Sequence, residues 1–316
     1  MSDTVQPVPD SPPRVCAVVI NWNRPLDTAA CLRSLARSTY SPMSTVLVDN
    51  GSRDDSVPRL RAEFPDLDII CNPDNRGFGA AANQALDWAR AHGAAYVFLL
   101  NNDATVAPDA MERLMETAVR PDVGAVAPLV LCPGSEDRIW SAGSRRNRAT
   151  LGEMDTRRGR RWRAGDPRRL ARDYLYGCAL VLNLRALERT GGFDERFFMY
   201  SEDLDLCLRL QTAGYVLWLD SAARVWHEGA ASSGGRESAW ARYWSAHSLI
   251  HFFRKHARGA QWLAIIPWRL FSTVRITVCL LAAGRPSAAH AFLRGLRAGF
   301  RDSGGAPAWK SAEGTV

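Results

Sequence analysis

The chain contains no CxxC pair, and its cysteines do not come in an even number: the seven are scattered at Cys16, Cys31, Cys71, Cys132, Cys178, Cys207 and Cys279. That pattern leaves no basis for a disulfide framework, so reduced, buried thiols in a cytoplasmic protein are expected. Residues 1–13 lack a basic stretch followed by an apolar core, which excludes a signal peptide, and they read as a disordered lead-in. Nor is there a clean run of about 20 apolar residues. The stretch 261–283 is apolar but broken by Pro267, Arg269 and Arg275.

What is present fits a globular enzyme-sized body. Hydrophobic residues make up 47% and charged residues 23% of 316, which argues against disorder. The formal charge of +7 points to an anionic partner without choosing among nucleic acid, phosphorylated small molecules and acidic lipid.

Val15–Asn21 (VCAVVIN) is a continuous apolar run of the kind expected for a strand buried on both faces. A helical spacing over Asp27–Arg37 follows, then strands at Thr45–Val48, Leu67–Cys71 and Ala95–Leu100, with a helix at Ala80–His92. This alternation predicts an α/β fold, a mainly parallel central sheet flanked by helices, with ligands bound beyond the carboxyl ends of the strands. Those ends carry Asn21-Trp22-Asn23, Asp49-Asn50-Gly51-Ser52, Asn72 to Gly79, and Asn101-Asn102-Asp103. Each alone reads as a turn or a cap; four at one sheet edge point to a site.

Gly77-Phe78-Gly79-Ala80-Ala81-Ala82 fits the loose dinucleotide pattern, but it follows the third strand and lies behind Arg76, so glycines for a tight turn and close helix packing are the better reading. Asp103 at a strand end is an anchor for a divalent cation that neutralises a leaving diphosphate, since Mg²⁺ takes its remaining oxygens from water and phosphates. Between Arg145 and Arg172 stand eleven arginines against three acids. The segment fits a nucleic-acid patch, a mobile loop over phosphates or a solvated surface, and the second is favoured because only Trp162 offers a stacking ring in its dense part.

Tyr174–Leu184 reads as a strand interrupted by Gly177. In Ser201-Glu202-Asp203-Leu204-Asp205, Ser201 is a good helix N-cap and the acids fall in the first turn. Beyond complementing the helix dipole, Asp203 is the candidate general base for an acceptor hydroxyl, with Glu202 beside it binding acceptor hydroxyls. His227, before Glu228-Gly229 and the Ser232, Ser233, Gly234, Gly235 stretch, has room for a metal or phosphate role.

The motifs VVINWN, VDNGSRDDS, NPDNRGFGAAAN, LLNND, GGFDERFFMYSEDLDLCLR and WHEG, in this order from Val15 to Arg258, resemble glycosyltransferase family 2, especially its bacterial rhamnosyltransferase-like branch. The resemblance implies a GT-A fold, a nucleotide-diphosphate sugar donor, favouring dTDP-rhamnose, and a divalent metal, Mg²⁺ or Mn²⁺. It implies that Asp49 binds the pyrimidine base, that Ile20, Asn21 and Asn23 line the nucleotide, and that Asn75, Gly77, Asn83 and Asn102 bind the donor. Asp103 and His227 would hold the metal and Asp203 would act as base in an inverting single displacement. Asparagines at 101 and 102 depart from the fuller acidic metal motif.

The expected organisation is a catalytic domain over 14–236, with a nucleotide-binding half at 14–130 and an acceptor half at 131–236. An amphipathic helical extension over 237–302 and a disordered tail over 303–316 would follow. In the extension, Trp262, Trp268 and the arginines suit an interfacial helix on the inner face of a membrane, packing on the catalytic domain or a homo-oligomer interface being the alternatives. A glycan or polyprenyl-linked acceptor and a role in cell-envelope polysaccharide synthesis fit this end of the chain. The competing functions are a nucleic-acid-binding protein using 145–172 and a nucleotide-sugar-binding regulator without turnover; Asp49, Asp103, Asp203 and His227 together favour the enzyme, for which no nucleic-acid partner is expected.

Overall fold

A computed structural model describes residues 11–229 and 238–301. Most of the lead-in, Ser232 to Gly235 and the tail lie outside the described residues. Strands β1 (Val15–Asn21), β2 (Met43–Asp49), β3 (Asp68–Cys71) and β4 (Tyr96–Asn101) alternate with helices α1 (Pro25–Leu35), α2 (Ser56–Glu63) and α3 (Phe78–Ala91). They pair in parallel in the order β4-β1-β2-β3. Every residue of β1 is buried, because the strand lies inside the sheet with a core on each face. Its alternate residues Cys16, Val18 and Ile20 meet α3, whereas Val15, Ala17 and Val19 meet α1, so a strand with no exposed face reads as an unbroken apolar run.

Beyond β4 the sheet becomes mixed. After β5 (Ala104–Val106) and α4 (Ala110–Ala118) come β6 (Val123–Leu131), β7 (Ile139–Ser141), β8 (Arg145–Arg146), β9 (Glu153–Met154), β10 (Arg169–Arg172), β11 (Ala179–Asn183), α5 (Leu184–Thr190), α6 (Glu202–Thr212) and β12 (Val216–His227). The main sheet runs β10-β12-β6-β11-β4-β1-β2-β3, with β11 antiparallel to both β4 and β6 and β12 parallel to β6. Strand β12 carries an irregularity between Asp220 and Arg224. That irregularity lets β12 end at the same edge as β1, β2 and β4.

Three helices follow: α7 (Ala239–His256), α8 (Gln261–Ala282) and α9 (Pro286–Arg301). Helix α7 sinks Phe252 and Phe253 into the core shared with α3, α5 and α6. Helix α9 lies close on α7 through two glycines: a Cβ on Gly295 would stand 2.2 Å from Tyr243 O, and one on Gly299 2.7 Å from His247 O. Helix α8 is different. It is unbroken despite Pro267, is long and apolar enough to cross a membrane by length and composition, and buries only Ile265, Ser272 and Leu280. Leu263, Leu270, Phe271 and Val274 are 60–79% exposed, a larger apolar surface than scattered single residues make.

Candidate active site

The register of the parallel strands sets the site, because Asn21 pairs with Asp49 across β1 and β2, and Ile20 with Asn101 across β1 and β4. Asn21, fully buried, donates to Asp49 Oδ1 at 2.7 Å and to Ser52 Oγ at 3.0 Å, and its Oδ1 accepts from Thr28 Oγ1 at 2.7 Å. Asn102 Nδ2 donates to Thr28 Oγ1 at 3.0 Å. Asp49 also accepts from the amide and hydroxyl of Ser52, whose Oγ in turn receives the amide of Asn23. Buried polar groups without partners cost about 1–3 kcal/mol each, and this network leaves few: the strand ends are pre-set as one polar floor, with Ile20 beneath it.

A second network shapes the loop after β3. Asn50 donates to Asn75 Oδ1 at 3.0 Å and Gly77 O at 3.2 Å, and Asn75 Oδ1 accepts from Gly77 N at 2.9 Å. Gly77 has φ +85, and a Cβ there would meet Phe198 O at 2.5 Å. The amide of Phe78 donates to that same carbonyl at 2.9 Å, so the loop after β3 is fastened to the segment leading into α6. Asn83 belongs to this fastening and not to the strand ends: its carboxamide bonds the backbone N and O of Phe193 and reaches Glu195.

Asp103 and His227 are brought together from β4 and β12. Asp103 Oδ1 and His227 Nε2 lie 2.9 Å apart, both residues are buried, and Asn101 Nδ2 is 3.2 Å from the same ring nitrogen. The other nitrogen, Nδ1, is buried without a hydrogen-bond partner, and the edge of Trp140 packs on the ring at 4.3 Å. A carboxylate and an imidazole at this spacing fit a divalent cation whose other ligands are water and phosphate oxygens. No cluster of three His, Cys, Asp or Glu ligands occurs among the described residues.

The base candidate stands on α6. Asp203 Oδ2 accepts from Gly177 N and its Oδ1 from Leu204 N, both at 2.8 Å. Burial raises its pKa to about 6 against the pull of those two amides. Burial, then the charge of Asp203, holds Glu202 well above the usual carboxylate range, and its Oε2 is buried without a partner. Ser201 does not cap the helix with its side chain: it and Tyr200 have φ of 67 and 69. Two consecutive non-glycine residues in the left-handed region store roughly 1–3 kcal/mol each, and they aim the turn that carries both acids. Asp205, by contrast, is structural, bound by Arg209, Lys255 and His256.

The two centres share one segment. Gly177 N holds Asp203, and the next residue's carbonyl, Cys178 O, accepts from Asn101 N at 2.9 Å beside Asp103. A carboxyl group with its pKa near 6 acts as a base only when ionised. The rate of a reaction it serves is therefore expected to fall about tenfold per pH unit below about 6 and to level off above about 7; a profile of kcat against pH that is flat from 5 to 8 would contradict this.

The basic segment is not one loop over phosphates. Arg157 pairs with Asp166, Arg168 and Arg169 with Asp220, and Arg172 with Asp155. Arg158 alone among these comes near the centre, 4.2 Å over Trp140. Thr28, Asn50, Ser52, Trp140, Gly177 and Arg158 are site residues that motif reading left out. Asn50 and Ser52 were within reach, being in the same turn as Asp49; the others come from segments with no pattern of their own.

The glycosyl transferase family 2 model matches residues 16–176, half of the chain. The chain belongs to glycosyltransferase family 2. This family 2 enzyme is 28% identical over 259 residues to the N-acetylglucosaminyl-diphospho-decaprenol L-rhamnosyltransferase of Mycobacterium tuberculosis, covering 76% of this chain and 83% of that one. Among solved structures it is similar to the mannosyltransferase of Pyrobaculum calidifontis in complex with GDP-Man and Mn²⁺, with a TM-score of 0.57, 19% identity, and 91% of this chain and 76% of that one covered. It is also similar to GalNAc-T7 with UDP, GalNAc and Mn²⁺, with a TM-score of 0.59, 13% identity, and 76% and 48% covered. These likenesses establish the GT-A fold that the family resemblance implied.

Proposed function

We propose that this family 2 enzyme transfers rhamnose from dTDP-rhamnose, with inversion, to a hydroxyl of a lipid-linked or polysaccharide glycan in cell-envelope synthesis. One observation carries the reading: Gly177 N donates to Asp203, while the carbonyl of the next residue, Cys178, accepts from the amide of Asn101, two residues before the Asp103 that lies 2.9 Å from His227. The activity of the mycobacterial relative supports rhamnose and a diphospho-lipid acceptor.

In this reading Asp49, Ile20, Asn21 and Asn23 receive the nucleotide, and Asn75, Gly77 and Asn102 border the donor. A divalent ion, Mg²⁺ or Mn²⁺, held by Asp103 and His227 supplies positive charge to the departing diphosphate. Asp203 takes the acceptor proton as the hydroxyl attacks the anomeric carbon, and Glu202, next to it in the chain, binds an acceptor hydroxyl. No enzymic nucleophile is required. The test is release of nucleoside diphosphate from a panel of dTDP-, UDP- and GDP-sugars with Mg²⁺ or Mn²⁺. Turnover of dTDP-rhamnose above all others is expected, and a protein that turns over none of them is not this enzyme.

The reading places the enzyme at the inner face of a membrane, docked by α8. Burying each of its exposed Leu, Ile, Val or Phe side chains contributes about 1.5–3 kcal/mol at full transfer, so a few suffice for stable adsorption. Leu270→Glu with Phe271→Glu is expected to abolish co-sedimentation with anionic vesicles; unchanged sedimentation would remove α8 from this role.

A further inference from the structure

Away from the strand ends, the chain encloses a second cavity of about 550 Å³ between β8–β9, β10, the last turn of α6 and the start of β12. Its wall is basic and incompletely paired. Arg172 is 5% exposed; its Nε donates to Ala142 O at 2.9 Å and its Nη1 to Asp155 Oδ2 at 3.0 Å, while Nη2 is buried with no partner. Arg146 Nε and Gln211 Oε1, on the same wall, are likewise buried and unpartnered. Asp173 lies there too, but it is already engaged, accepting from Arg146 N and Gln211 Nε2. Arg145 and Arg148 stand exposed at the rim.

Two guanidinium N–H groups of residues that line one hollow are buried without an acceptor, an unmet cost of about 1–3 kcal/mol each. A phosphate, with several oxygens in the geometry that guanidinium forks favour, would meet it. The cavity's position suggests whose phosphate. Asp203 opens α6 and Gln211 nearly closes it, eight residues or about 12 Å apart at 1.5 Å per residue. Gly177, which holds Asp203, is four residues from Asp173. Strand β9 faces both ways, Glu153 bonding Tyr176 OH beside the centre while Met154 lines the cavity. On the far side, Gln261 at the start of α8 donates to Arg148 O at 2.7 Å.

We propose that this cavity binds the phosphate of the acceptor, about one sugar ring and a phosphate away from the hydroxyl that Asp203 activates, with the acceptor's apolar chain leaving beside α8. The proposal rests on the reading of Asp203 as the acceptor base, so two measurements are needed to separate their failures. In calorimetry with inorganic diphosphate in metal-free buffer, the wild-type chain and Asp103→Asn are expected to bind alike, and Arg146→Gln to bind at least about tenfold more weakly, as loss of a charged hydrogen bond implies. In kinetics, a sugar carried on an alkyl diphosphate is compared with the same sugar as an uncharged alkyl glycoside. The ratio of their kcat/KM values is expected to fall about tenfold or more in Arg146→Gln, whereas a folding defect lowers both values together. Arg172→Gln should follow the same pattern, but Arg146 decides, because Arg172 is buried and its loss can disturb packing. Unchanged diphosphate affinity in Arg146→Gln overturns the pocket. Weakened affinity with an unchanged ratio overturns its assignment to the acceptor. A chain inactive on every donor overturns the enzyme reading, while calorimetry still decides whether phosphate binds here.

Discussion

Replacing Asp203 by asparagine is expected to lower kcat by about a thousandfold, within the range general-base catalysis supplies, while donor affinity changes little. Both Asp203 oxygens accept backbone N–H groups, from Gly177 and Leu204. A carboxamide can serve one of them and must turn an N–H toward the other, so a loss of about 1–3 kcal/mol in stability accompanies the chemical loss. The two effects separate cleanly. Thermal unfolding reports the first, calorimetry with the donor confirms an intact nucleotide site, and single-turnover transfer reports the second. Near-normal transfer in the asparagine variant would take the base role away from Asp203.

Asp103→Asn is expected to cost about a hundredfold or more in kcat/KM, as the loss of the carboxylate that would hold the cation facing the developing negative charge implies. The side chain keeps its shape and its closeness to His227, 2.9 Å away in the native chain, so the change falls on charge and not on packing. Donor turnover assayed across a metal titration checks it: the variant should need far more Mn²⁺ or Mg²⁺ to approach its own maximum. A variant with an unshifted metal requirement and full activity would mean that Asp103 holds no cation.

Much of the strand-end network was legible in the chain, because local chemistry decides it. Val15–Asn21 reads as a strand buried on both faces and is one; Asp49 and Asn101 stand at strand ends, where the parallel register sets them on either side of β1. Helix α2 escaped notice because it buries only Ser56 and Leu60, too little for an apolar stripe. Ser201 misled, since its preference for capping is overridden by a left-handed turn that tertiary packing imposes. The basic segment misled for a different reason. Two of its arginines, Arg168 and Arg169, are paired with Asp220, and composition within a window cannot register a partner some fifty residues away. Asn83 shows the finest limit: spacing put it on the right helix, but whether a carboxamide faces a ligand or a neighbouring backbone depends on the loop that arrives over it.

Helix α8 is fastened at both ends, Trp262 packing against the main core and Leu280 against Ala288 and Ala289. A bilayer that grips its apolar face therefore grips the whole body in a single attitude. In the proposed reading, the height of Asp203 above the lipid would then be a dimension of the protein, and a tethered sugar would be accepted or refused by how far it stands from its anchor. Selection of this kind works as a ruler, and it would reject a glycan one unit too short or too long even where every contact around the ring is satisfied.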